Sequence, residues 1–460
     1  MVDKIELQGS KKWILWSVWG VYTLFIIFMA FRHEPWYDEY HAWNLVYRLD
    51  FSHLWQMLHV EGHFCLWYLL LWPWVKWFGI GWQSLYIVSV PLMSLATWLI
   101  LHKLRFPFIG KILIITAAPF LYHFPIVARC YALIPPILVG MAILYQSKNN
   151  PILYCVLLGL LANTHVYMEG LACILWLTFV YNYVWRIRES DNQRKRRNLF
   201  AASVTILLVI FAFVQVAGGL VDVLHGYNPP GEGEDSLEEW TREFIYGHRI
   251  MCFDLLHQKI ALIPKMDTLL TLCVYVIAIT SGVLLFIHKN SKQIEAFLVL
   301  FFGIAWQILF ATNIYGMHNH RIWLPYFVVV LVLWMYFNQQ EVRKYVYILL
   351  ICCWLLFFPF YYKIWKDINY TMASEIVFAE KLEKIVPYDA ILYSNIEDEL
   401  ECIRMECFSL DTTYLIQLDK IDCWVYTDND NFTLPMHEVT LVLADNERYL
   451  YHIVSSKICP

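Results

Sequence analysis

The chain has 460 residues, of which 59% are hydrophobic and 17% aromatic, and its formal net charge is −5. Its mean hydropathy of +0.49 excludes an ordinary soluble domain, in which about 45–50% of residues are apolar. The negative net charge provides no broad basic surface, so nucleic acid is not an expected partner.

Apolar runs in the chain predict an all-α polytopic membrane protein with about eleven transmembrane helices. A helix needs roughly 20 apolar residues to cross the hydrocarbon core of a bilayer. Lys11 and Lys12 precede the first run and no small-residue cleavage site follows it, so we interpret it as an uncleaved anchor. The predicted spans are residues 13–31, 82–101, 111–123, 130–146, 151–164, 168–185, 199–219, 266–287, 294–312, 322–338 and 345–362.

The stretch "FCLWYLLLWPWVKWFG", residues 64–79, allows two topologies. If it crosses the membrane, the basic loops 102–111 and 186–198 lie outside, against the positive-inside tendency. If it lies in the membrane interface as an aromatic-rich helix, all Lys/Arg loops fall on the cytoplasmic side. We favour the interfacial helix, which predicts a cytoplasmic N-terminus and an outer C-terminus in a plasma membrane protein.

The chain divides into two predicted domains. Residues 1–362 form the membrane module, with a first outer loop at 32–81 and a long outer loop at 220–264 that could form a lid. In residues 363–460 the short runs "AILYS", "CWVYT" and "VTLVLA" alternate with the helical pattern "MASEIVFAEKLEKIV". This pattern predicts a small extracytoplasmic α/β domain.

Acidic and imidazole side chains are concentrated in the first outer loop. "HEPWYDEYHAWNLVYRLD" contains Asp38 and Glu39 just after the first span, and "HVEGHFCLWYLLLW" places Glu61 and His63 just before the interfacial helix. The loop could simply be solvated. However, carboxylates at a partly dehydrated boundary have altered proton affinity, which suits a base that accepts a proton from a hydroxyl.

These two motifs together resemble the GT-C membrane glycosyltransferases. The closest branch is the group of protein O-mannosyltransferases and aminoarabinose-transferase-like enzymes of the glycosyltransferase family 39 type. An Asp-Glu pair in the first outer loop and an acid-x-His motif before an aromatic-leucine helix are typical of that group. In "EGHFCLWYLLL", Phe64 and Cys65 stand where the family usually has two prolines.

Three further segments are similar to signatures of the same group. "VARCYALIPP" places Arg129 and Tyr131 at the start of a helix, "NTHVYMEGL" contains His165, and "NHRIWLPYF" places Arg321 at the mouth of a late helix. The resemblance extends from residue 13 to about residue 340 and does not include the C-terminal domain.

The resemblance implies an enzyme that transfers a hexosyl or pentosyl group from a polyprenyl-phosphate donor. The acceptor would be a hydroxyl-bearing protein, glycan or lipid at the outer face, and the anomeric centre would invert. In this scheme Asp38 is the base, Glu39 orients it, and Arg321 and Arg129 bind the donor phosphate. The expected substrate-pocket residues are Glu61, His63, Tyr131 and His165.

The need for a cofactor stays open at the level of the sequence. Glu61, His63 and His248 could hold a divalent cation, because carboxylate and imidazole ligands suit zinc or manganese. No close ligand spacing fixes such a site, and no other cofactor is indicated.

Two other functions are compatible with many apolar helices and ionisable side chains. One is a transporter or flippase of lipid-linked sugars, although no inverted repeat or pair of broken helices is evident. The other is a polysaccharide polymerase, which would also use lipid-linked sugars.

Overall fold

The computed structural model describes most of the membrane module and parts of the C-terminal region. The described residues are 10–33, 35, 37–58, 64–147, 150–186, 192–224, 266–287, 293–313, 324–337, 343–357, 360–369, 385–387, 391–394, 407–409, 420–427, 438–445 and 448–456. Most of the predicted lid, 220–264, and most of the helical pattern at 372–386 lie outside this set.

Helices dominate the described part of the chain. In chain order they are α1 (Ser10–Ala30), α2 (Tyr37–Arg48), α3 (Phe51–Met57), α4 (Cys65–Trp72), α5 (Ser84–His102), α6 (Phe108–Thr116), α7 (Ile134–Ser147), α8 (Pro151–Ala162), α9 (Val166–Val180), α10 (Asn192–Leu224), α11 (Met266–Ile287), α12 (Gln293–Asn313), α13 (Leu324–Phe337), α14 (Arg343–Leu356) and α15 (Phe360–Asn369).

Four of these helices contain a segment that is long and apolar enough to cross a membrane: Lys12–Ala30, Ser84–His102, Asn192–Val216 and Ile294–Thr312. Shorter apolar helices cover Cys130–Tyr145, Pro151–Ala162, Leu272–Ile287 and Leu324–Met335. The predicted helical, multi-pass architecture is therefore confirmed in kind. The count of eleven spans stays a prediction.

Prolines divide two segments that the sequence presents as single apolar runs. The predicted span 111–123 is not one helix, because α6 ends at Thr116, Ala117 is extended with ψ 141°, and a π-helical turn follows at Pro119–His123. The stretch 64–79 likewise consists of α4 and a π-helical turn at Pro73–Trp77. Proline lacks the N–H that a regular helix requires, so both breaks begin where the ladder of hydrogen bonds is interrupted.

Close approach of helices at small residues holds the central bundle together. Gly159 on α8 lies against Leu208 on α10, and Gly170 on α9 lies against the ring of Trp306 on α12. The indole N–H of Trp306 donates to the carbonyl of Val166 at 2.9 Å, which fixes the ring on α9. A side chain larger than hydrogen at Gly170 would overlap that ring.

A buried amide network connects α4, α8 and α10. The side chain of Gln215 accepts from the backbone N–H of Cys65 at 2.7 Å and donates to the side chain of Asn163 at 2.9 Å. Asn163 in turn donates to the carbonyl of Leu208 at 2.8 Å. Because buried polar groups require partners, this network fixes the start of α4, two residues after the predicted His63, relative to the bundle.

The described C-terminal residues form a five-stranded sheet in the order β2–β1–β3–β5–β4. The strands are β1 (Ile391–Ser394), β2 (Cys407–Ser409), β3 (Lys420–Thr427), β4 (Glu438–Asp445) and β5 (Arg448–Ser456). β1 pairs in parallel with β2 and β3, whereas β5 pairs antiparallel with β3 and β4. The three predicted runs correspond to β1, β3 and β4; β2 and β5 were not predicted.

Candidate active site

The helix that carries the acidic pair is held firmly against the aromatic segment that follows it. Trp43 on α2 is buried and its ring stacks on Tyr47 at 4.9 Å between centroids. The ammonium of Lys76, on the π-helical turn after α4, donates to the carbonyl of Tyr47 at 2.9 Å. Asp38 and Glu39 occupy the first turn of α2, where the helix dipole favours negative charge.

Asp38 forms an ion pair with Arg129. The guanidinium Nη1 lies 2.6 Å from Oδ2 of the carboxylate, and the guanidinium carbon lies 5.7 Å from the centroid of the Tyr131 ring. The Arg129 side chain is only 7% exposed, whereas that of Asp38 is 39% exposed. The carboxylate is therefore accessible to a reactant while the arginine stands behind it.

Glu39 points away from solvent and binds the segment that precedes Arg129. Its Oε1 accepts from the backbone N–H of Ala128 at 2.7 Å. Its Oε2 lies 3.0 Å from Nε2 of His33. Asp38 and Glu39 thus bind the consecutive residues Arg129 and Ala128. These two contacts fix the position of Arg129 relative to α2.

His33 lies between two carboxylates in a fully buried position. Its Nδ1 is 2.6 Å from Oδ2 of Asp367 on α15, and the rings of Tyr86 and Tyr122 meet it edge-on at 6.3 and 5.8 Å. Burial alone lowers the pKa of His33, but the charge of Glu39 and the bonds to both carboxylates outweigh it and raise the pKa to about 10. The imidazole is thus a cation at neutral pH.

His165 and Tyr131 are brought together at the start of α9. His165 is the N-cap of that helix, with Nδ1 accepting from the N–H of Tyr167 at 3.2 Å. Its Nε2 lies 3.4 Å from the hydroxyl of Tyr131, and its ring stacks on that of Tyr167 at 5.1 Å. The N-cap gives His165 a structural role, and its place in the substrate pocket stays a prediction.

Four of the candidate residues, Glu61, His63, His248 and Arg321, lie outside the described residues. Their predicted roles, including the divalent cation, stay predictions. Within the described part of the chain no group of three His, Cys, Asp or Glu side chains is arranged to hold a metal ion. The trio of His33, Glu39 and Asp367 does not converge on one point, because opposite sides of the imidazole face the two carboxylates.

The structure brings together three elements that the sequence placed at the outer side: α2 with Asp38, the segment with Arg129 and Tyr131, and the N-terminus of α9 with His165. Sequence reasoning missed His33 and Asp367. His33 stands inside the quoted first-loop stretch, but the chain separates it from its partner by 334 residues. No spacing rule could have paired the two.

The apolar helices and the C-terminal sheet identify the chain as a polytopic membrane protein with an additional C-terminal α/β region. Neither a protein-family sequence model nor a curated protein sequence matches the chain.

Among solved structures, ArnT from Cupriavidus metallidurans bound to undecaprenyl phosphate matches with a TM-score of 0.58 at 9% identity, over 96% of this chain and 98% of that chain. Its apo state matches with a TM-score of 0.55 at 9% identity, over 97% and 98%. The expected resemblance to the aminoarabinose-transferase-like group is confirmed at the level of the fold, and it includes the C-terminal region.

Proposed function

We propose that this chain is an integral membrane glycosyltransferase that moves a sugar from a polyprenyl-phosphate donor to a hydroxyl-bearing acceptor at the outer face of the plasma membrane. The observation that carries the proposal is the Asp38–Arg129 pair, at 2.6 Å, on a fold similar to that of ArnT. The matching structure contains undecaprenyl phosphate, which supports a polyprenyl phosphate as the donor lipid here.

In the proposed reaction Asp38 is the general base. It accepts the proton of the acceptor hydroxyl while the oxygen bonds to the anomeric carbon, and the bond from that carbon to the phosphate oxygen breaks. The electron pair leaves with the polyprenyl phosphate. Attack from the face opposite the phosphate inverts the anomeric centre, through an oxocarbenium-like transition state.

Arg129 links the base to the leaving group in this scheme. A guanidinium has five N–H donors in a planar fork, so it can contact a carboxylate and a phosphate at the same time. Its charge keeps Asp38 ionised, which is the form that accepts a proton, and stabilises the charge that develops on the departing phosphate. Arg321, by its resemblance to the family motif, is the second proposed phosphate ligand.

The proposed pocket for the sugar and acceptor combines Tyr131 and His165 with Glu61 and His63. The hydroxyl of Tyr131 faces His165, and the ring of Tyr131 lies under the guanidinium of Arg129. The start of α4, which follows Glu61 and His63, is anchored through Cys65 to Gln215. A divalent cation held by Glu61, His63 and His248 remains part of the proposal as an optional cofactor.

The test measures release of sugar from a polyprenyl-phosphate sugar by purified protein, together with binding of the lipid donor. Asp38→Asn keeps the shape of the side chain and removes its ability to act as a base. Transfer should fall by ~10²–10⁴-fold, the range that general-base loss typically costs, with donor binding nearly intact. Asp50→Asn, an exposed carboxylate elsewhere in the same loop, is the matched control and should transfer at the wild-type rate.

Two results would contradict the proposal. Wild-type transfer by Asp38→Asn would remove Asp38 from the mechanism. Movement of intact lipid-linked sugar across vesicles, with no cleavage of the sugar–phosphate bond, would instead identify a flippase.

A further inference from the structure

Four pairs of consecutive residues form one continuous network of hydrogen bonds and ion pairs across the site: Arg32–His33, Asp38–Glu39, Ala128–Arg129 and Asp367–Ile368. Arg32 and His33 bind α15, where Arg32 donates through Nη2 to the carbonyl of Ile368 at 2.8 Å and His33 pairs with Asp367 at 2.6 Å. His33 then pairs with Glu39 at 3.0 Å. These links are hydrogen bonds or ion pairs between 2.6 and 3.0 Å long.

The same network continues from Glu39 to the proposed catalytic pair. Glu39 holds the backbone N–H of Ala128, and its neighbour Asp38 holds the side chain of Arg129. Two adjacent residues bind two adjacent residues both here and between Arg32–His33 and α15. Two contacts side by side fix both the distance and the relative rotation of the two segments that they join. The position of Arg129 relative to Asp38 therefore depends on where Glu39 sits.

The chemistry of His33 makes it the central member of this network. An ionised carboxylate can only accept hydrogen bonds, so an imidazole flanked by two of them needs a hydrogen on both nitrogens. The side chain of His33 is fully buried, so bulk solvent does not reach it to replace either bond if one is lost. A neutral side chain at this position would leave Glu39 or Asp367 as a buried charge without its counterion.

We propose that His33 and Asp367 are positioning residues, which couple helix α15, at the entrance to the C-terminal domain, to the geometry of the Asp38–Arg129 pair. The expected effect of this coupling on catalysis rests on the proposed function. The structural part of the coupling does not depend on that function: when Asp367 no longer anchors His33, His33 holds Glu39 less firmly, and Glu39 holds the amide of Ala128 less firmly. A residue that only stabilised the first loop locally would have no effect at Ala128.

The experiment compares His33→Gln and Asp367→Asn with wild type in two measurements. The first is hydrogen–deuterium exchange of the peptide that contains Ala128 and Arg129. Both variants should increase exchange there, because Glu39, the acceptor of the Ala128 amide, is held less firmly. Asp367→Asn removes the charge that holds His33 on α15 and acts on Glu39 only through His33. It is therefore the milder change, with a smaller rise in exchange, and it decides the matter if His33→Gln does not fold.

The second measurement is sugar transfer by the same proteins. Turnover should fall on the order of 10²-fold, which is what a displacement of about 1 Å in a reacting group costs, while the KM for the donor changes little. The matched control is His53→Gln, an exposed histidine paired with Asp50 at 2.9 Å, which should match wild type in both measurements.

The outcomes separate the coupling from the proposed function. Unchanged exchange at Ala128 in Asp367→Asn overturns the coupling, whatever the transfer rate. Increased exchange with an unchanged turnover number also overturns it, because the two residues then do not position the catalytic pair. If the wild type transfers no sugar, the proposed function fails, and the exchange measurement alone decides whether α15 controls the segment at Ala128.

Discussion

At the scale of single residues, the Asp38–Arg129 pair joins two roles that the sequence suggested separately. The family resemblance predicts that Asp38 accepts the proton of the acceptor and that Arg129 binds the donor phosphate. It does not indicate that the two side chains are in contact. In the structure they are 2.6 Å apart. The proposed base and the proposed phosphate ligand therefore form one ion pair, and a substitution of either changes the environment of the other.

The charge of His33 predicts how stability depends on pH. Its pKa is raised from 6.5 to about 10, so the protonated form stabilises the folded protein. That contribution is fully present below pH 6.5 and is lost as the pH rises through about 10. The groups that face the imidazole are Glu39 on α2, Asp367 on α15, Tyr86 on α5 and Tyr122 on the π-helical turn.

Thermal unfolding in detergent at pH 6, 8 and 10 checks this prediction. The wild type should lose stability steadily between pH 6.5 and 10, and His33→Gln should be less stable at pH 6 but show a flatter profile. Comparison of the two proteins removes the contribution of all other titrating groups. Parallel profiles would mean that His33 is not charged in the folded state.

At the scale of helices, the contact between α9 and α12 predicts a sharp dependence on the size of one residue. Gly170→Ala places a methyl group into the Trp306 ring, which its hydrogen bond to Val166 holds in position. The expected loss of stability is about 1–3 kcal/mol, the usual cost of overpacking a close contact. Gly282→Ala on α11 is the matched control, because a methyl group there meets no atom within 4 Å.

The measurement is the unfolding midpoint of each variant in detergent. Gly282→Ala should equal or slightly exceed wild type, since alanine favours helix more than glycine does. Equal midpoints for the two variants would show that Trp306 can move away without cost.

How well the sequence predicted the elements depends on the kind of signal each one carries. The span 266–287 coincides with α11, Met266–Ile287, because a long apolar run bounded by polar residues directly indicates a helix of that length. The span 111–123 was wrong as a single helix, although Pro119 was visible as a signal for the break.

The candidate site shows where sequence signals end. Motif resemblance located Asp38, Arg129 and Tyr131, which the structure brings into contact. The Asp367 link was not predictable, because its only signature is a single acid on a short helix. Pairing across such a distance is decided by tertiary packing and not by local pattern.

At the scale of the whole molecule, the acidic pair Asp38–Glu39 and the basic side chains Arg194 and Arg197 lie toward opposite ends of helix α7. Helix α7 begins at Ile134, five residues after Arg129. Near the other end of α7, Tyr145 lines a surface depression together with Arg194 and Arg197. The 14 residues of α7 span about 21 Å at 1.5 Å per residue. The acidic pair and Arg194 therefore lie toward different ends of α7, and which end is cytoplasmic stays a prediction.

The topology is tested by labelling intact cells with a membrane-impermeant thiol reagent. In a variant whose twelve native cysteines are replaced, a cysteine at Asn429 should react and a cysteine at Asn192 should not. The reverse pattern would place the C-terminal sheet in the cytoplasm and would mean that residues 64–79 cross the membrane. Both positions should react once the cells are permeabilised, which confirms that each cysteine is accessible.

The bond between His33 and Asp367 has a consequence for the order in which the protein is made. The ribosome completes His33 early, yet its second carboxylate emerges 334 residues later. Until then Nδ1 of His33 has no acceptor, in a position that becomes fully buried. A chain that terminates before α15 is therefore left with an unfinished centre, so full-length synthesis is itself the step that completes it.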